Sequence, residues 1–288
     1  MYLHRHVTDS VFFSSLPLIE SRYPDYDITD EKWMADKTIE VADEMQSFIN
    51  KSYDIYGKRF HNVDTHRFDI KQENVAKAGL WIAKKRYAQW IINVEGHTVS
   101  KLDVKGLDVV RSSFPPAFRK FMSEVLKDLL NDIEKVELDQ KILDFKEHIK
   151  TLPLIDIMFP VGVKNVKKYM RKGDSLFAVR MKGTPIHVKS ALNYNDMLKH
   201  HNIKTIRGII NGEKIKWTYL KDNSMGLETM ALKGYDNPEP IEKFVQQHIN
   251  HNKIFKSAFY NKLNDFYGAM RWGKAPENNN LGKFFAFN

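Results

Sequence analysis

Cysteine is absent from the 288 residues. That excludes disulfide scaffolds, Cys-ligated zinc, iron–sulfur clusters and cysteine nucleophiles. Long hydrophobic runs are absent as well. The stretch Leu152-Pro153-Leu154-Ile155-Asp156-Ile157-Met158-Phe159 falls far short of the ~20 apolar residues that cross a bilayer, so no membrane partner is expected. Met1-Tyr2-Leu3-His4-Arg5-His6 lacks the apolar stretch of a secretory signal. These absences read as a cytoplasmic protein of a reducing compartment. What is present supports a folded chain: 42% hydrophobic and 12% aromatic residues are ample for a core. The length suits one large domain or two ordinary ones, at roughly 100–200 residues each. Lys plus Arg number 45 against 36 Asp plus Glu, a net charge of +9. That positive field favours a polyanionic partner.

Asp9-Ser10-Val11-Phe12-Phe13-Ser14 reads as a short strand ended by Pro17. A polar loop around Pro24 follows, and Thr29-Asp30-Glu31 opens a helix with a capping hydroxyl and two acids at its positive end. Trp33, Met34, Val41, Met45, Phe48 and Ile49 give that helix an apolar stripe up to about Tyr56-Gly57. From Phe68 to Val110 the pattern turns to strands. A small antiparallel sheet is predicted, with basic tips, a Glu95-Gly96 turn and a return arm over Val104 to Val110. Ser112-Ser113-Phe114-Pro115-Pro116 is the clearest boundary, a serine cap with proline at the first helical positions. Phe118, Phe121, Val125, Leu129, Ile133 and Val136 continue at helical spacing, which predicts one long helix to about Val136. The 150–240 region is mixed, the 241–272 region helical, and Pro276 to Asn280 a flexible linker.

Lys84-Lys85-Arg86-Tyr87 carries the first chemical signal. Consecutive cations in a strand must point to both faces, which no simple core accommodates. Against a duplex they would neutralise phosphates or reach the minor groove; a solvated edge strand with snorkelling stems is the competing reading. Together with Lys105-Gly106-Leu107-Asp108-Val109-Val110-Arg111, this run resembles the end of the palm in the family B DNA polymerases, most of all those of T-even-like phages. Upstream, Thr8-Asp9-Ser10-Val11 is similar to that family's Asp-Thr-Asp-Ser motif, whose second aspartate holds catalytic magnesium. Taken by itself Thr-Asp-Ser is an ordinary turn; the resemblance makes Asp9 a metal ligand and Mg²⁺ the cofactor. Nucleotidyl transfer needs carboxylates holding two such ions about 3.5–4 Å apart.

The departures from the family pattern matter equally. Val7 stands where the first motif aspartate belongs. The chain has no second metal aspartate with a Ser-Leu-Tyr-Pro-like sequel, no Lys-x3-Asn-Ser-x-Tyr-Gly fingers helix and no proofreading exonuclease. One metal aspartate cannot hold two magnesium ions, so the chain is expected to be inactive alone. The resemblance therefore implies a split polymerase, its other parts supplied by an N-terminal polymerase chain. Gly183 to Tyr194 resembles the thumb segment that packs near the duplex, which adds His187, Lys189 and Tyr194 to the DNA-binding candidates Lys84, Lys85, Arg86, Tyr87, Lys105 and Arg111. Asn195-Asp196 stand where the phage relatives tend to carry basic residues. Lys164, Lys167, Lys168, Arg171 and Lys172 form a basic cluster that suits phosphates or simply a solvated face. The last residues are similar to the family's sliding-clamp-binding peptide, with Leu281, Phe284, Phe285 and Phe287 as the docking side chains; a tail folded back on the thumb is the alternative.

The expectation is an α+β chain, with the C-terminal part of a polymerase palm over 1–113, a mainly helical thumb over 114–275 and a clamp-binding tail over 276–288. Its implied function is that of the C-terminal subunit of a split family B DNA polymerase. It would act on primer–template DNA in the cytoplasm of an infected bacterial host, with Mg²⁺ shared with the N-terminal chain and a sliding clamp on the tail. The alternative is a non-catalytic DNA-binding and clamp-docking remnant. An unrelated RNA-binding protein lacks support, because the aromatic strand signature of an RNA-recognition sheet is missing. The palm fragment is expected to expose apolar sheet surface when alone.

Overall fold

Asp30 starts the longest helix by turning its carboxylate onto the Trp33 amide at 2.9 Å. In a computed structural model, which describes residues 5–7, 10–68, 70–170, 175–234 and 236–277, this helix runs Glu31–His61. The cap is Asp30 and not Thr29, because the Thr29 hydroxyl and amide are both engaged by Asp27, at 2.7 and 2.8 Å. The helix also passes through Gly57 and ends one turn later at Asn62, in the left-handed conformation. Two strands, β1 (Arg5–Val7) and β2 (Ser10–Phe12), pair antiparallel ahead of it. Between β2 and the long helix, α2, lies a helix that the proline concealed: α1, Leu16–Arg22, with Pro17 in its first turn. Proline is well placed there because its missing N–H would have no partner in any case. Ile19 of α1 is fully buried, and Arg22 grips Glu44 of α2 through two bonds of 2.7 Å.

The chain divides into two compact units, Met1–Leu107 with Leu129–Asp132, and Asp108–Asp128 with Ile133–Asn288. After α2 the first unit forms an antiparallel sheet in the order β3 (Asn74–Ala83), β4 (Arg86–Val94), β5 (His97–Lys105). Glu95 and Gly96 both have positive φ and join β4 to β5 by the tight turn that matches strand twist. The return arm is therefore His97–Lys105, earlier than predicted; Gly106 (φ +66°) ends it, and Asp108–Val110 is a single 3-10 turn. Lys84 and Lys85 sit in the turn between β3 and β4, not within a strand. That removes the two-faced cation problem, since turn residues need point into no core. Among the described residues the strongly exposed large apolar side chains of this unit lie outside β3–β5, many of them on α2, and not on that sheet as expected.

The second unit opens with α3 (Pro116–Leu129) and α4 (Lys135–His148), two helices where one was predicted. Asn131 and Asp132 break the run; Asp132 takes φ 57°, a conformation that short polar side chains tolerate best. Phe118 and Phe121 of α3 pack on Phe145 of α4, the latter pair stacked at 3.9 Å, and both contact Phe259. After the short α5 (Leu154–Ile157), the sheet β6 (Phe159–Gly162), β7 (Lys214–Tyr219), β8 (Thr229–Leu232) is antiparallel in that order. Helix α6 (Ile186–His200) covers it, burying Val188, Ala191, Leu192 and Met197 against Trp217, Met230 and Leu232. Helices α7 (Glu239–His248), α8 (His251–Phe255) and α9 (Asn261–Ala269) follow, with a π-turn over Lys256–Tyr260 joining the last two. The chain is thus a mixture of helices and antiparallel sheet, an α+β fold. No described helix is long and apolar enough to cross a membrane.

Tyr194 is fully buried on α6, and its hydroxyl has no hydrogen-bond partner. Burial, with Glu213 and Glu242 adding negative charge, pushes its phenol up to about 12. The folded value lies above the ordinary ~10, so the stability this group confers is complete below pH ~10 and is lost as pH rises toward 12. Tyr194→Phe should leave the unfolding free energy at pH 7 unchanged or raised by up to about 1 kcal/mol. It should also shrink the loss of stability between pH 10 and 12. Urea unfolding at both ends of that range measures this, and a clear destabilisation at pH 7 would show that the hydroxyl is hydrogen-bonded after all.

Candidate nucleic-acid interface

The β3–β4 hairpin presents its turn to solvent, with Lys84 and Lys85 exposed and Lys85 at φ 60°. Arg86 and Tyr87 begin β4 half-buried, and Tyr87 pairs across the ladder with Trp81 on one side and Lys105 on the other. Beneath the cations lies an aromatic floor. Phe12 of β2 meets Tyr87 edge-on at 5.4 Å and Trp81 at 5.8 Å. Trp81 in turn lies over Gly79, where a Cβ would come within 2.2 Å of the indole. Burial and the nearby Asp103 raise the Tyr87 phenol above the ordinary tyrosine value, while Lys105 opposes them. Tyr87 therefore stays a neutral donor at pH 7. Asp103 also ties Lys105 (3.2 Å) to Gln89 (3.2 Å) on the neighbouring strand.

Gly106 closes the tip. Its backbone is left-handed at φ +66°, and a Cβ there would lie 2.0 Å from the Lys85 carbonyl oxygen. Backbone of the return strand thus rests directly on backbone of the turn, and only glycine permits that approach. The site assembled in the first unit comprises Lys84, Lys85, Arg86, Tyr87 and Lys105, five of the residues expected to contact a polyanion. Phe12, Trp81, Gly79 and the close approach of Gly106 were not legible as site features. Only the Gly79–Trp81 spacing, two positions apart on one face of a strand, offered a signal.

The remaining candidates lie elsewhere. In the second unit Arg111 is exposed and pairs with Asp108 at 3.2 Å, which also receives Lys262 at 3.3 Å. His187 is half-buried, and burial lowers its pKa, so it is neutral at pH 7. Lys189 is half-buried on α6, while Tyr194 is placed wholly in the core, where it presents no surface to a ligand. Asn195 holds the backbone of Ile209 by two bonds, 2.6 and 3.0 Å, and Asp196 accepts from Arg180 at 2.6 Å. Lys164, Lys167 and Lys168 are exposed around a 3-10 turn, Val166–Tyr169. Asp9, Arg171, Lys172 and the tail residues Leu281, Phe284, Phe285 and Phe287 lie outside the described residues. Among the described residues no group of three or more His, Asp or Glu could hold a metal ion. They do not by themselves fit a magnesium pair.

Residues 31–182 match DNA polymerase family B, more than half of the chain. A 95-residue stretch is 36% identical to the catalytic subunit of DNA polymerase alpha from Saccharomyces cerevisiae, covering 32% of this chain and 6% of the yeast protein. A 197-residue stretch is 25% identical to a DNA-directed DNA polymerase of Escherichia phage RB69, covering 67% of this chain and 21% of the phage protein. The chain therefore spans about a fifth or less of the length of these relatives.

Two glycine-to-alanine changes test the closure of the tip. Gly96→Ala meets nothing within 4 Å and incurs only the cost of a positive φ, about 1 kcal/mol. Gly106→Ala must also displace the Lys85 carbonyl, and should cost at least ~1 kcal/mol more in thermal or urea unfolding. Equal costs for the two would show that the return strand does not press on the turn.

Proposed function

The chain belongs to DNA polymerase family B, and on that premise we propose that it is the C-terminal subunit of a split, phage-type DNA-directed DNA polymerase. It would supply the end of the palm, the thumb and a clamp-binding tail, and work on primer–template DNA in the cytoplasm of an infected bacterium. The observation that carries this reading is the cationic tip: Lys84, Lys85 and Lys105 around Tyr87, on the floor formed by Phe12 and Trp81. The lysines would neutralise phosphates along the duplex, while Arg86 and the neutral Tyr87 hydroxyl would face the groove. Family B polymerases generally use divalent metals. Asp9 is this chain's proposed contribution to the Mg²⁺ site, the other ligands coming from an N-terminal polymerase chain. Arg111, His187 and Lys189 would meet the duplex from the thumb, and Leu281, Phe284, Phe285 and Phe287 would dock on a sliding clamp.

A second reading, a non-catalytic DNA-binding and clamp-docking remnant, is favoured by Val7 standing where the family motif has its first aspartate. Primer extension with Mg²⁺ separates the two. The expected outcome is extension when the chain is mixed with the N-terminal polymerase chain of the same genome, none with either chain alone, and none with Asp9→Ala. No extension by a complex that demonstrably forms would select the remnant.

The grip itself is tested without catalysis. Binding of a primer–template duplex should weaken as salt rises, and the double change Lys84→Ala, Lys85→Ala should lower the log–log salt slope by about 2, one counterion per lysine. An unchanged slope would remove the turn from the interface.

A further inference from the structure

Helix α2 has 31 residues, of which only Val41 and Ala42 are buried. Its second half carries large apolar side chains in water: Phe48 is 72% exposed, Ile55 68%, Phe60 61% and Tyr56 53%, with Met45 beside them at 36%. Helical periodicity places these on one side. Phe48 and Ile55 lie seven residues apart and so nearly in line, and Met45, Tyr56 and Phe60 flank them. The stripe is about 22 Å long at 1.5 Å per residue. Contiguous exposed apolar surface on this scale marks an interaction site.

We infer that this stripe is the surface on which the rest of the polymerase, carried by a second chain, docks; the inference rests on the split-polymerase reading above. Three observations choose that occupant. The family match begins at residue 31, where α2 itself begins, so the helix belongs to the shared fold and not to an appendage. The chain covers 21% of the phage relative, which leaves most of a polymerase to pack against it. A second copy of this chain is opposed by the net charge of +9, repeated on each partner. Lys51 borders the stripe and Arg59 lies within it, over the Phe60 ring at 5.5 Å. The complementary face is therefore apolar, with carboxylates placed to meet Arg59 and Lys51.

The test is association of the full chain with the N-terminal polymerase chain of the same genome, followed by sedimentation and calorimetry. Phe48→Asp with Ile55→Asp should weaken the complex at least ~10-fold. Both positions are exposed, so the isolated variant should melt as the parent does. Val136→Asp, at a position 72% exposed on α4, serves as the control and should change nothing. A parent complex with a 1:1 stoichiometry that is lost in the double variant supports the proposal. If parent and double variant bind equally, the α2 assignment is overturned while the split-polymerase reading stands. No binding by the parent overturns both. A homodimer of the chain that the double variant dissolves would give the stripe to a second copy and overturn the proposal.

Discussion

A Cβ at position 106 would stand 2.0 Å from the carbonyl oxygen of Lys85, and the backbone there is held at φ +66°. That single backbone-on-backbone approach organises the tip of the first unit. It ends β5 at Lys105, which lies opposite Tyr87. It also supports the turn whose two lysines would otherwise have little beneath them. Because the turn is braced from below by a residue without a side chain, Lys84 and Lys85 can be fully solvent-facing while Tyr87, two residues on, is packed against Phe12 and Trp81. A rigid aromatic base beside exposed cations suits the proposed contact with a polyanion. The lysine stems remain free to adjust, and the strand that carries them does not.

How much of this was legible follows from where each signal is stored. The Glu95-Gly96 turn, the proline-led start of α3 and the apolar faces of the second unit are local patterns, and local reading found them. The cation run was found but misplaced. Three consecutive bases in a strand pose a burial problem, and the chain resolves it by leaving the strand for two residues, with Lys85 taking a positive φ. Pro17 misled for the converse reason: the residue that stops a strand is equally suited to the first turn of a helix. Phe12, Gly79 and Trp81 share the site only through cross-strand and inter-sheet neighbours, which linear spacing does not encode. Tyr194, set beside the duplex by resemblance, is placed in the core, because residues 186–200 form a helix whose inner face includes it.

The second unit spends its polar groups differently. Arg180 reaches Asp196 at 2.6 Å and Asn193 at 2.9 Å, with both ion-pair partners almost wholly buried. Asp196 also accepts the Phe177 amide, and Asn193 donates to the Thr229 carbonyl in β8. One turn of α6 thus fastens the loop before it and the sheet beneath it. Asn195 fastens the loop at Ile209, with Gly208 packed so tightly that a Cβ would come within 2.8 Å of its amide oxygen. The two residues that looked like departures from a basic pattern are therefore committed to holding the unit together. Removing one partner of such a nearly buried ion pair as Arg180–Asp196 costs several kcal/mol.

The contrast between the units bears on how the proposed enzyme would be assembled. In the second, α6 and the sheet β6–β8 share one continuous core, and a separate aromatic cluster of Phe118, Phe145, Phe255 and Phe259 ties α3 and α4 to the π-turn. It has the hallmarks of a part that folds on its own resources. The first unit buries a modest set, among them Ile19, Val75, Leu80, Ala88 and Ile91, while its longest helix leaves six large apolar side chains exposed from Met45 onward. Hydrophobic burial is the main favourable term in folding, so the two halves contribute unequally: the second buries its larger cores within itself, and the first would gain most from a partner that covers α2. On the split-polymerase reading, the first unit would be folded when alone but would keep the apolar side of α2 uncovered until its mate arrives. The proposed dependence on a partner would then lie in the exposed face of α2 as much as in the aspartates that the family motifs carry and this chain lacks.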